Sequence, residues 1–185
     1  MISLNFRHEI PNLSQRYPMV EFVSVDQDNY ALLGRKTPLV IDVLEVLSQQ
    51  PEGIVGIVNA DIFLEAKEWV SVAIAATQTG IAVAHRADVK SLEADDPVIF
   101  EMGYDLFLFR KECIPRHVPS SFALGIPWWD YCLQIDFLKR GLSVNLLTEP
   151  FIFHLQHDSN YQPNVWRHMA NEFSKFVLQS SEDLC

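Results

Sequence analysis

Gly53-Ile54-Val55-Gly56-Ile57-Val58-Asn59-Ala60-Asp61-Ile62-Phe63-Leu64 is the stretch that most narrows what this chain can fold into. An apolar run stops abruptly at Asn-x-Asp, and a second apolar run follows at once. The first run, Ile54–Asn59, reads as a buried central strand with an amide and a carboxylate at its carboxyl end. In open α/β sheets, ligands bind at that end of the strands. The chain carries 24 acidic against 14 basic residues, for a formal net charge of -10. In that setting an acid at a strand end suggests a divalent cation holding a phosphate, rather than direct phosphate binding.

The remaining pattern alternates between two periods. Ile2–Asn5 and Val20–Val25 read as strands, with a helix over His8–Arg16 between them. Thr37-Pro38 reads as an N-cap and first helical residue, and Leu39, Val43, Leu44 and Leu47 then share one face. Pro51-Glu52-Gly53 stops that helix. Ala66–Gln78 reads as a helix, Ile81–His85 and Tyr104–Arg110 as strands, and Lys90–Pro97 as a polar connection. Cys113–Pro127 reads as a structured loop, Trp128–Lys139 as a helix closed by Gly141, and Ser143–Leu147 and Phe151–His154 as late strands. Asn164–Leu178 reads as an amphipathic terminal helix, and Ser180–Cys185 as a frayed tail. Strands alternating with helices predict one α/β domain over 1–185, with a mostly parallel sheet covered by helices on both faces.

Composition excludes some function classes. So acidic a chain is a poor binder of nucleic acid, which draws on Lys and Arg neutralising phosphates. No apolar run is long enough to span a bilayer, and Met1–Arg7 lacks a signal-peptide layout. Three scattered cysteines, Cys113, Cys132 and Cys185, form neither a metal spacing nor a disulfide framework, so a cytoplasmic setting is expected. In that setting the Asn12-Leu13-Ser14 sequon has no use. No phosphate-binding glycine loop and no Gly-x-Ser-x-Gly elbow is present.

Three constellations can carry chemistry. Asn59 and Asp61 flank a small residue and point the same way in a pleat, where they can hold a hard cation through oxygen. The alternative is a plain strand-to-turn boundary. In Gly125-Ile126-Pro127-Trp128-Trp129-Asp130, the acid opens a helix beside two tryptophans. Asp130 can serve there as a general base with a raised pKa, and the indoles can stack on sugar rings. The alternative is a first-turn acid with two core tryptophans. In Phe153-His154-Leu155-Gln156-His157-Asp158, one histidine can complete a metal site with Asp61. On a continuous strand His154 and His157 face opposite sides, which argues against both binding one ion; a polar strand end with one hydrogen-bonded histidine is the alternative. Arg35, Lys36, Arg86, Arg110, Lys111 and Arg116 are the basic residues near these segments, and one or two of them suffice for a phosphate.

The order of these segments resembles the GT-A-fold glycosyltransferases, the nucleotide-diphospho-sugar transferases, from about Ile2 to Asp158. Val58-Asn59-Ala60-Asp61-Ile62 is similar to that family's Asp-x-Asp metal motif, and Gly103–Arg110 to the strand leading to the acceptor side. Phe122–Asp130 is similar to the later glycine-and-tryptophan segment ending in an acid, and His154–Asp158 to the histidine-bearing end. The resemblance implies a compact GT-A-like fold, with 1–64 the nucleotide and metal half, 65–160 the acceptor half, and 161–185 a C-terminal helix and tail. It implies Ser3, Asn5, Asp26 and Arg35 near the nucleotide, and Asn59 on sugar or ribose. Asp61 and His157 become metal ligands, with His154 the less favoured choice. Trp128 and Trp129 become acceptor contacts, and Asp130 the general base. The implied cofactor is Mn²⁺ or Mg²⁺, the donor a UDP- or GDP-type nucleotide sugar, and the acceptor a glycan or other hydroxyl.

The reaction implied is direct displacement, with Asp130 already ionised at neutral pH from its ordinary pKa near ~3.9. The chain departs from the family in three places. Asn59 stands where the first motif acid belongs, Trp129-Asp130 replaces an acid pair, and one βα unit is missing before the metal strand. Those departures also fit an inactive module that binds a nucleotide sugar or glycan without transfer. A nucleotidyltransferase needs a basic triphosphate site that the sequence does not offer, and a structural domain without a ligand is the remaining alternative.

Overall fold

The computed structural model describes residues 1–25, 36–64, 69–91, 96–148, 152–157 and 162–182, with side chains through 179. Among them are ten strands and five α-helices. The strands are β1 (Ile2–Phe6), β2 (Glu21–Val25), β3 (Ile54–Val58), β4 (Ile62–Leu64), β5 (Gly80–Ala84), β6 (Ala87–Val89), β7 (Val98–Ile99), β8 (Leu106–Arg110), β9 (Ser143–Leu147) and β10 (Ile152–Leu155). The helices are α1 (Ile10–Arg16), α2 (Val40–Ser48), α3 (Trp69–Ala76), α4 (Trp129–Lys139) and α5 (Pro163–Glu182).

The class is α/β, but the sheets are mixed rather than mostly parallel. One four-stranded sheet runs β3-β8-β5-β9, with β8 antiparallel to both neighbours and β5 parallel to β9. A second runs β4-β10-β6-β7, in which only β10 and β6 are parallel. β1 and β2 form a parallel pair of their own. The expected central strand is therefore an edge strand. β3 pairs with β8 alone among the described strands, and Ile54 and Val58 are 40% and 38% exposed. An apolar run does not distinguish a strand buried on both faces from one that lies at an edge. The fully buried strand is β5.

Period-two alternation in the first sheet feeds two cores. Val55, Ile57, Ile81, Val83, Phe107 and Phe109 pack with α2, α4 and α5. Ala82, Ala84 and Leu106 turn the other way and pack with Ala73 of α3. Helices thus cover both faces of this sheet, as the alternation of elements predicts.

One local expectation yields to tertiary contacts, and an expected structured loop is held by them. Thr37 does not cap α2: the cap position is Leu39, whose segment is drawn into a bridge with Ala123, and Val40 N–H donates to Phe122 O at 2.9 Å. The irregular segment after β8 is fastened instead by the buried Asp136 carboxylate. It accepts from the backbone N–H groups of Arg116 and His117 and from the Arg140 guanidinium.

The closest approach in the first sheet is at Gly80, opposite Ser143. A Cβ there would lie 1.9 Å from Ser143 O and 2.6 Å from Ser143 N. Backbone cannot step aside as a side-chain tip can. Gly80→Ala is therefore expected to cost about 3 kcal/mol or more, the upper end of overpacking effects, measured by urea unfolding. An unchanged midpoint would mean that β5 and β9 do not pair in this register.

Candidate functional site

Two of the short links that carry the chain from the first sheet to the second hold site residues. Asn59-Ala60-Asp61 joins β3 to β4, and His85-Arg86 joins β5 to β6. A cleft of about 780 Å³ opens there, lined by residues from both links, from the approach to β8, from the start of α4 and from α5. Its volume lies in the usual range for small-molecule sites, roughly 300–1,000 Å³.

Asp61, His154 and His157 converge in this cleft, with one donor atom from each within 4.8 Å of the others. Asp61 Oδ2 lies 3.4 Å from His154 Nε2 and 3.8 Å from His157 Nε2, and the two Nε2 atoms are 3.2 Å apart. The β4–β10 register sets Ile62 opposite His154, so Asp61 arrives one residue earlier at the same point. The two histidines meet because β10 ends at Leu155. Opposite facing on a continuous strand does not apply once the chain leaves the ladder. His154 is buried, and its Nδ1–H donates to Asp88 Oδ1 at 2.9 Å. That bond leaves Nε2 with its lone pair toward Asp61, the orientation found when a carboxylate backs a metal-binding imidazole. Two ligands on one ion at about 2.1 Å sit roughly 3.0–3.5 Å apart, so the spacing fits a cation.

Next to this cluster stands Arg86, whose Nε–H donates to Asp88 Oδ1 at 2.8 Å. Its NH1 lies 3.5 Å from the buried Asp105, and its guanidinium lies 4.4 Å from the centre of the Phe100 ring. Asn59 donates its side-chain N–H to Asp105, and its backbone N–H donates to Asp105 O at 3.2 Å. Asn59 thus braces the link through its two nitrogens while lining the cleft. Burial raises the Asp105 carboxyl above the usual range, while Arg86 and Asn59 pull it back.

A further carboxylate lining the cleft is Asp130, in the first turn of α4. It is 7% exposed, and its Oδ2 accepts from Tyr104 N–H at 3.1 Å. Burial pushes its pKa up to about 7, against the pull of the N–H groups of Tyr104, Asp130 and Tyr131. Of the two readings of this acid, the raised pKa beside the tryptophans and not the ordinary one agrees with its burial, because loss of water outweighs the helix N-terminus.

The two tryptophans part company. Trp129 touches the cleft but is 4% exposed, and its ring packs on Phe107, so most of it belongs to the core behind. Trp128 lines the cleft in left-handed backbone, at φ 76°, and packs on Trp166, Tyr131 and Phe173. Its indole N–H is buried and has no hydrogen-bond partner among the described residues. Both features cost free energy at one cleft residue.

Ser3 and Asn5 are not among the cleft-lining residues; they sit in β1, where Ser3 Oγ donates to Asn5 Oδ1 at 2.7 Å. Asp26 and Arg35 lie outside the described residues. Asp88, Asp105, Tyr104 and Trp166 join the site without having been singled out in the sequence. Asp105 immediately precedes an apolar strand, and Asp88 interrupts Ala-Asp-Val, and those are the signals available for them.

Between the ordinary carboxyl value of about 3.9 and the folded value of about 7, the unfolded chain has released a proton that folded Asp130 still holds. Stability therefore falls as pH rises through that window and levels off above it. Asp130→Asn keeps an oxygen for Tyr104 N–H and removes the titration. Relative to this variant, the wild type is expected to lose about 2 kcal/mol between pH 5 and pH 8 in urea unfolding; parallel curves would place the carboxyl in water. Neither protein-family models nor curated proteins give a match to this chain.

Proposed function

We propose that the cleft binds a nucleotide-diphosphate sugar with a divalent cation and transfers the sugar to an acceptor hydroxyl, on a GT-A-like arrangement. The observation that carries this reading is the opening of Asp61, His154 and His157 into the same cleft as the buried Asp130. Among the described lining residues, Arg86 is the one Lys or Arg, and Asp88 and Asp105 already engage it. A diphosphate therefore needs positive charge from elsewhere. Asp61, His154 and His157 would hold the cation, which as a Lewis acid neutralises the leaving diphosphate. A set of two imidazoles and one carboxylate favours Mn²⁺ over Mg²⁺, which prefers oxygen.

Asp130 takes the proton from the acceptor hydroxyl while that oxygen bonds to the sugar carbon and the bond to the diphosphate breaks. A group poised near neutrality suits this role, since a base is most effective when its pKa lies near the working pH. Trp128 and Trp166 offer ring faces to a sugar. The same geometry also serves a module that binds a nucleotide sugar without transfer. Asn59 in place of an acid favours that second reading, because it leaves the cation one carboxylate.

Mn²⁺ with UDP is expected to raise the melting temperature of the wild type, and Asp61→Ala to abolish the rise. Asp130→Asn is expected to keep the rise and lose transfer by 100-fold or more, on the order of a general-base contribution. In the wild type, transfer should climb with pH and level off above about 7, as Asp130 ionises. A metal-dependent shift without turnover on any sugar donor would select the binding module; turnover by both variants would end the assignment.

A further inference from the structure

The cleft has an apolar lip that the transfer chemistry does not use. Val98, Ile99, Phe100 and Met102 are 68%, 40%, 36% and 77% exposed, within five consecutive residues. Phe100 and Met102 line the cleft, and in β7 Val98 carries the apolar surface outward on the face of Asp88 and His154, while Ile99 points to the other face. An exposed apolar edge strand invites aggregation and persists only when something covers it.

The register ties this lip to the cation cluster. His154 pairs with Asp88 across β10 and β6, and Asp88 pairs with Val98 across β6 and β7. Val98 is thus two strand spacings, roughly 10 Å, from His154. Phe100 is held on the cleft side by the Arg86 guanidinium over its ring and by its own N–H, which donates to Arg86 O at 2.9 Å. Charge narrows the occupant further. Glu101 is exposed within the lip, and the chain carries a net charge of -10, so an anionic tail or an anionic membrane surface is repelled.

We propose that the acceptor is a neutral amphiphile whose hydroxyl-bearing head enters the cleft beside Asp130, while its apolar tail lies along Met102, Phe100 and Val98. This deepens the transfer reading and rests on it for the role of the hydroxyl. The tail site itself is a binding statement and can be tested without turnover.

The probes are butyl, hexyl and octyl β-D-glucosides, held below their micelle concentrations and titrated against tryptophan fluorescence. In the wild type, affinity should rise about two- to fourfold per added methylene, as for an apolar chain leaving water. The double variant Val98→Ser, Met102→Ser should lose at least half of that dependence on chain length. Both side chains are exposed, so the variant keeps its fold. Val72→Ser, at a 59%-exposed position of α3 that does not line the cleft, should leave the dependence unchanged. A flat series in the wild type, or a dependence that survives the double variant, overturns the proposal. Sedimentation with phosphatidylcholine vesicles through Met102, without saturable glucoside binding, also overturns it in favour of a membrane surface. A chain-length dependence that the double variant loses, in a protein that gives no Mn²⁺–UDP shift, upholds the tail site and removes sugar transfer.

Discussion

The parallel pairing of β10 with β6 sets His154 opposite Asp88, and the site depends on that one register. A buried imidazole needs a partner for each nitrogen. Asp88 accepts a hydrogen bond from Nδ1–H, so Nε2 is the atom that faces Asp61 and His157. β4 docks on the other side of β10, which brings Asp61 to the same point. A shift of one residue in either pairing would send His154 to the opposite face of the sheet and scatter the cluster.

Two carboxylates in one cleft are set apart by their surroundings. Asp61 is exposed at a link between sheets and keeps water around it. Asp130 is enclosed by the start of α4 and the backbone of Tyr104, and burial holds its proton to about neutral pH. Different environments for like groups are how one cleft separates charge stabilisation from proton transfer. Asp105, the third acid lining the cleft and like Asp130 buried, is engaged by Asn59 and Arg86 and holds the two links together.

The cleft concentrates local costs. Trp128 adopts a backbone conformation that favours glycine, its indole N–H lacks a partner among the described residues, and the neighbouring carboxyl is buried. Each costs on the order of 1–3 kcal/mol. The rigid first sheet offsets them, since Trp129, Cys132, Leu133 and Phe137 anchor α4 on Phe107 and Phe109. Departures of this kind from local preference gather where a protein binds its ligand.

Periodicity alone determined much of this protein. The strands β2, β5, β8 and β9 and the helices α2, α4 and α5 fall close to where their apolar spacing places them, because burying a stripe or an alternating face is a local property of sequence. Asp61, His154, His157, Trp128 and Asp130 were legible as candidates because acids, imidazoles and indoles at element ends are conspicuous. Tertiary structure alone decided the rest: mixed instead of parallel strands, β3 at an edge, Trp129 in the core, and both histidines on one point. Strand order, register and the loss of water around Asp130 arise from segments far apart in the chain. No local pattern records which of them will meet.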